Sequence, residues 1–369
     1  MVVWSQEMLG KINQKMERVN DRNFGKIPYS AEDGKYNDLS GGSVDWWTNG
    51  FFAGSLWQLY QWNGNEAFKE SAIAIEKKLD HALEDFVGLH HDVGFMWLHT
   101  AVADYRITGN EKSKKRGLHA ASLLLARFNL NGRYLVAWNC EVPGWAIIDS
   151  MMNIPILYWA SEQLGDPRYL QVAKAHADTL EKYLVRSDGS VGHIAEFDPQ
   201  SGLFKKLVRG QGYSPESSWS RGQAWAIYGF ALSYRYTKEQ HYLDTAKKIA
   251  NYFIGNVSQT EAVPLIDFRA PLGTTKIDTS AGACAACGFL EIAEHLSGME
   301  ARYYHKAAEK ILQELADNYI DLDLEKDGML QKSSHSYHQK AETEIHLVYG
   351  DYFFIEGILR LEDQALAIW

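Results

Sequence analysis

Three cysteines in 369 residues, Cys140, Cys284 and Cys287, are too few for a disulfide framework, and an odd count suits a reducing compartment. Cys284 and Cys287 form a C-x-x-C, but with no second pair and only small apolar neighbours they read as buried helix cysteines, not a zinc or redox site. No run of about 18 uncharged apolar residues suggests a membrane span. The start, "MVVWSQEMLGKINQKMERV", has no basic stretch leading into an apolar one, so a soluble cytoplasmic protein without a membrane partner is expected. Positive charge is also short: 37 Lys and Arg stand against 47 Asp and Glu, a formal net charge of -10. A nucleic-acid partner is therefore not expected. H-E-x-x-H, a Gly-rich phosphate loop and G-x-S-x-G are all missing, so neither a metal, nor a phosphate-anchored cofactor, nor a serine nucleophile is expected.

Aromatic residues, by contrast, make up 13% of the chain, with 12 Trp and 20 Tyr. Flat indole faces either stack on sugar rings or fill a helical core. Their placement follows a repeat. An apolar, aromatic run leads through a short turn into an amphipathic one, as in "TNGFFAGSLWQLYQWNGNEAFKESAIAIEKKLDHAL" and "FMWLHTAVADYRITGNEKSKKRGLHAASLLLARF". The pattern returns three more times, with turn glycines at Gly64, Gly109, Gly165 and Gly298 and "TKEQ" replacing the glycine once. The final run, "GDYFFIEGILRLEDQAL", lacks a second half, which the N-terminal helix around residues 5–20 would supply. Uniformly apolar first helices read as inner and the charged second helices as outer. The expectation is an all-α fold, a closed (α/α)6 barrel of six hairpins forming one catalytic domain over residues 1–369. A monomer or weak homo-oligomer is anticipated.

Such a barrel places the segments before its inner helices at one end: "DWWTNGFF", "HHDVGFMW", "PGWAIIDSMM", "SSWSRGQAW", "IDTSAGACA" and "VYGDYFF". A rim of acids and indoles there is a carbohydrate site in outline. Asp149 is the lone carboxyl in "VPGWAIIDSMMNIPILYWAS". It is either a helix N-cap or a general acid whose proton the apolar setting retains, and Pro155 a turn later weakens the cap reading. Asp92 follows two histidines, and His90 or His91 either orients it or caps the preceding outer helix. Arg221 lies between Trp219 and Trp225, paired with a rim acid or binding substrate. His193 falls in a loop after an outer helix.

Together "DWWTNGF", "HHDVGF", "IIDSMMNIPIL", "SSWSRGQAWAIYGFALSYRY" and "YGDYFFIEGILRLE" resemble the unsaturated glucuronyl hydrolases of glycoside hydrolase family 88, over Asp45 to Leu361. The resemblance implies the (α/α)6 barrel and a substrate: oligosaccharides left by polysaccharide lyases, of glycosaminoglycan type, ending in a 4,5-unsaturated uronic acid. It implies hydration of the ring double bond, with Asp149 as general acid/base and Asp92 holding ring hydroxyls and tuning Asp149. It also implies Trp46 stacking on the uronate, with Asn49, His91, His193, Gln211, Trp219, Arg221 and Trp225 at the substrate. The loop "SSHSYHQKAETEIH" departs from the Ser and Lys spacing of members favouring sulfated fragments, with Lys340 one position away. The rivals are an unsaturated rhamnogalacturonyl hydrolase, an ordinary inverting glycosidase with carboxyls roughly 6.5–9.5 Å apart, and a non-catalytic sugar-binding protein.

Overall fold

One turn design is used three times. Gly64, Gly109 and Gly165 end helices in the left-handed region at φ 70°, 71° and 64°, where a Cβ is disfavoured. The very next residue, Asn65, Asn110 or Asp166, caps the following helix by accepting the backbone N–H two positions on. A two-residue junction of this kind forces the two helices back to back. In "TKEQ" Lys238 takes the left-handed turn itself, at φ 59°. Gly298 departs from expectation: the preceding helix is closed by His295, and Gly298, at φ 62°, begins the next one.

The computed structural model describes residues 3–139 and 144–369, so Cys140 lies outside the described residues. α1 (Val3–Asn23) is followed by the hairpin of α2 (Phe51–Asn63) and α3 (Glu66–Lys78), then the short α4 (Asp80–Asp85). α5 (Val93–Trp97) continues through a π-helical stretch, Leu98–Val102, into α6 (Ala103–Thr108), which turns into α7 (Glu111–Leu125). The remaining hairpins pair α8 (Pro155–Leu164) with α9 (Pro167–Leu184), α10 (Ser220–Thr237) with α11 (Gln240–Val257), and α12 (Thr279–Glu294) with α13 (Gly298–Asn318). α14 (Val348–Leu361) packs on α12, on α2 and on α1, so the ring closes and α1 is the sixth outer helix. This is the all-α (α/α)6 barrel expected from the repeat.

Burial separates the two layers. Every residue of α12 from Thr279 to Ile292 is buried, whereas α13 buries only the stripe Tyr304, Ala308, Ile311, Leu312 and Leu315. Cys284 and Cys287 are buried and unbridged within α12, as read from their neighbours. No helix among the described residues is long and apolar enough to cross a membrane.

Short strands decorate one end. β1 (Ala31–Glu32) pairs with β2 (Lys35–Tyr36), and β3 (Phe128–Asn129) with β4 (Tyr134–Leu135). β5 (Trp145–Ile147), β6 (Ile194–Phe197) and β7 (Phe204–Val208) form an antiparallel sheet. Its register, Ile147 opposite Ile194, extends to Ile148 N–H donating to the His193 carbonyl at 3.0 Å. Asp149 and His193 are thereby brought side by side.

Candidate active site

The N-terminal ends of the inner helices surround a cleft of about 240 Å³. Indoles from three segments wall it: Trp46 and Trp47, Trp138, and Trp219. Asp92, Asp149, His90, His91, Gln211, Arg221 and His335 supply its polar lining. A larger depression on the outer surface, between Asp188 and Lys248, contains no indole among its lining residues.

Asp92 occupies the N-cap position of α5 without capping it: its side chain accepts no hydrogen bond from that helix. It faces His91 instead. His91 Nδ1 is 2.7 Å from the carbonyl of Ala137, and a carbonyl only accepts, so that nitrogen carries the hydrogen. Burial holds the His91 pKa well below its usual value, which keeps the ring neutral and leaves Nε2 a bare lone pair, 3.2 Å from Asp92 Oδ1. Two acceptors at that distance need a proton between them. Asp92 provides it, because burial and then the neighbouring Asp149 charge push its pKa well up. His90 stacks on His91 with ring centroids 5.1 Å apart, and burial depresses its pKa to about 4. The ligand atoms of His90, His91 and Asp92 lie within 4.8 Å of one another; the bonding just described makes His91 and Asp92 a proton-sharing pair, with His90 Nδ1 3.3 Å from Asp92 Oδ2. A similar trio on the outer surface, Asp178, Glu181 and His241, links α9 to α11, with Tyr242 donating to Asp178 at 2.6 Å.

Asp149 lies on a short 3-10 helix, Ile148–Met152, whose N-cap is Ile147. It is not a cap either. Its Oδ1 is 3.2 Å from His193 Nε2. His193 Nδ1 accepts the backbone N–H of Gln211 at 3.0 Å, which assigns the ring hydrogen to Nε2 and makes His193 the donor to Asp149. The imidazole is stacked on Trp219, centroids 4.5 Å apart. His193 lies in the loop between α9 and β6, one residue before the strand, and its orientation is set from three sides.

Arg221 is 1% exposed, and of its two readings the pairing with a rim acid is present: Nη1 donates to Asp278 at 3.1 Å. The same guanidinium also donates to the carbonyls of Ser334 at 2.6 Å and His335 at 2.9 Å. It stacks over the rings of Trp219 and Tyr349 at 4.5 and 4.9 Å. Asp278 meanwhile caps α12 through Ser280 and Ala281. Arg221 thus fastens the loop before α14 to the rim while lining the cleft.

Of the residues that the resemblance puts at the substrate, Trp46, His91, Gln211, Trp219 and Arg221 line the cleft, and His193 backs Asp149. Two residues fall elsewhere. Trp225 is 1% exposed among Phe95 and Phe353; six helical residues rotate it by about 240° from Trp219, so the two indoles cannot share the cleft wall. Asn49 is buried with its amide donating to the Ser43 carbonyl at 2.7 Å, because the 3-10 helix Trp47–Gly50 turns it inward. Trp47, Trp138, His335 and Tyr349 were not singled out from sequence. Trp47 was legible as the second indole of "DWWTNGF". Tyr349 was legible as the first aromatic of "VYGDYFF"; Trp138 and His335 depend on loop paths that no local pattern encodes.

The profile of Glycosyl Hydrolase Family 88 matches residues 15–363. The chain belongs to this family. Its match begins within α1, ahead of Asp45, since α1 is part of the barrel. Among family 88 relatives, the chain is 35% identical over 382 residues to the unsaturated glucuronyl hydrolase of Bacillus sp. (strain GL1), covering 100% of this chain and 99% of that one. It is 32% identical to an unsaturated chondroitin disaccharide hydrolase of Streptococcus pneumoniae, covering 88% and 83%. The solved unsaturated glucuronyl hydrolase of Streptococcus agalactiae superposes with a TM-score of 0.93 at 30% identity, over 100% of this chain and 94% of that one. A mutant of that protein complexed with dGlcA-GalNAc6S superposes at 0.86 and 30% identity, over 100% and 93%.

Proposed function

We infer that this family 88 chain is an unsaturated glucuronyl hydrolase, releasing a 4,5-unsaturated uronic acid from the non-reducing end of lyase-generated oligosaccharides. The supporting observation is a single cleft in which a histidine-oriented Asp149 stands beside a protonated Asp92 between indole walls. Family membership over nearly the whole chain supports the same substrate class.

The chemistry acts on a vinyl ether. Asp149 delivers its proton to C4 of the ring; with Oδ1 taken by the His193 N–H, that proton rides on Oδ2. Positive charge developing at C5 and the ring oxygen is met by water, which the resulting Asp149 carboxylate deprotonates, so the residue ends as it began. The hemiketal at C5 then opens and the glycosidic oxygen leaves with the neighbouring sugar. Asp92, kept as an acid by burial and by His91, donates to or accepts from ring hydroxyls without adding a second negative charge near Asp149. Trp46, 39% exposed, offers a face for the sugar ring. The buried thiols of Cys284 and Cys287 fit work in a reducing, cytoplasmic setting.

Incubation with an unsaturated chondroitin disaccharide tests this reading through loss of the conjugated alkene's near-ultraviolet absorbance. Wild type is expected to bleach it. Asp149→Asn is expected to bind the disaccharide but turn it over at least ~100-fold more slowly. Retained turnover in that variant, or equal cleavage of a saturated uronoside, would overturn the mechanism.

A further inference from the structure

An aspartate at an N-cap normally spends its carboxyl on the N–H groups of the first helical turn. Asp92 does not, although it holds that position in α5. The N–H of Phe95, third in the helix and the usual target, is taken at 2.7 Å by the side-chain oxygen of Asn153, 58 residues away in sequence. Since that oxygen accepts from a backbone donor, the amide nitrogen of Asn153 must face the other way. There it donates to Asp92 Oδ1 at 3.2 Å and to the main-chain carbonyl of Asp149, also at 3.2 Å. Asn153 is fully buried. Gly94 permits the contact: a Cβ there would come within 2.4 Å of the Asn153 Cα.

We propose that Asn153 is a positioning residue for the reaction: it caps α5 in place of Asp92, freeing that carboxyl for the cleft, and ties it to the backbone that carries Asp149. Both ends of the tie are engaged at once, so the spacing of the two acids is set by one rigid amide. The inference rests on the roles given above to Asp92 and Asp149. The charged and titratable groups facing Asp92 are His90 and His91 beside it, Asp149 across the cleft, and Arg127 beyond the end of α7. Asn153 adds a neutral amide N–H donor to Asp92, which favours that carboxyl's ionised form.

Two variants separate positioning from simple capping. Asn153→Asp keeps an acceptor for the Phe95 N–H but loses the donor to Asp92; Asn153→Ala loses both. With the unsaturated disaccharide as probe, both are expected to lower kcat about tenfold or more and to raise KM. Both should also move the limb of the pH–rate profile that reports Asp92 to higher pH. KM and the profile's shape do not depend on what fraction of a preparation is folded, so partial misfolding cannot imitate the result. Wild-type KM and profile in Asn153→Ala, or full rescue by Asn153→Asp, would overturn the proposal. Failure of both variants to fold would count equally against it, making Asn153 a determinant of the fold alone. If wild type itself leaves the alkene untouched, the functional reading fails instead.

Discussion

His193 donates through Nε2 to Asp149 at 3.2 Å while the Gln211 N–H holds its other nitrogen at 3.0 Å. The ring has one tautomer available and one direction in which to use it. His193→Phe should preserve the stack on Trp219 and remove both ring hydrogen bonds, the one to Asp149 and the one from the Gln211 N–H. The expected outcome is a kcat reduced by ~10–100-fold with KM little changed, measured by steady-state bleaching of the unsaturated disaccharide. Turnover within twofold of wild type would show that Asp149 needs no orienting partner.

Asp92 carries a stability signature of opposite sign to an ordinary ion-paired aspartate. Its folded-state pKa lies above the usual 3.8, so between those two values the native state holds more protons than the unfolded chain. Stability then falls as pH rises through that window. Asp92→Asn removes the titration and keeps an N–H to offer His91. Thermal melts should show the variant gaining on wild type as pH is raised from 4 to 8, even as it loses activity. A Tm difference independent of pH would refute the assignment.

Glu76 offers a second pH test far from the cleft. It is buried, accepts from Ser113 and Arg116, and leaves Oε2 without a partner; burial raises its pKa from 4.5 to about 7. The sign matches that of Asp92: stability falls by roughly 3 kcal/mol in total as pH climbs through that interval. Glu76→Gln should flatten this part of the curve in denaturant titrations, and an unchanged slope would contradict it.

Removing the Arg221 guanidinium leaves Asp278 buried without its cation. Arg221→Met should therefore cost about 3–5 kcal/mol, and KM should rise because two carbonyls of the cleft loop lose their donor. Arg221→Lys should rescue little, since one ammonium cannot reach all three acceptors and stack on Trp219. Chemical denaturation and KM, measured together, check both halves.

The barrel was legible because the inner helices announce themselves as apolar, aromatic runs and three of the turns by Gly-Asn or Gly-Asp. Asp92 and Asp149 were legible as isolated carboxyls at the starts of such runs. Sequence spacing failed where rotation matters: Trp225 looks like a twin of Trp219 but lies on another face of the helix, and Asn49 turns into the wall. It also failed where a bond joins distant residues. Nothing near Asn153 signals Phe95 or Asp92, and nothing in "SSHSY" signals that its backbone belongs to Arg221.

The loop before α14 is gripped by its main chain. Arg221 holds the carbonyls of Ser334 and His335, Gln211 accepts the Tyr337 N–H at 2.9 Å, and Lys276 donates to the Tyr337 carbonyl at 3.0 Å. The side chains of Gln339 and Lys340, just beyond, are exposed. Backbone shape and side-chain identity are therefore decoupled there: substitutions at 339 and 340 leave the main-chain bonds that hold the loop untouched. The cleft thus keeps its Arg221 wall whatever side chains stand at 339 and 340.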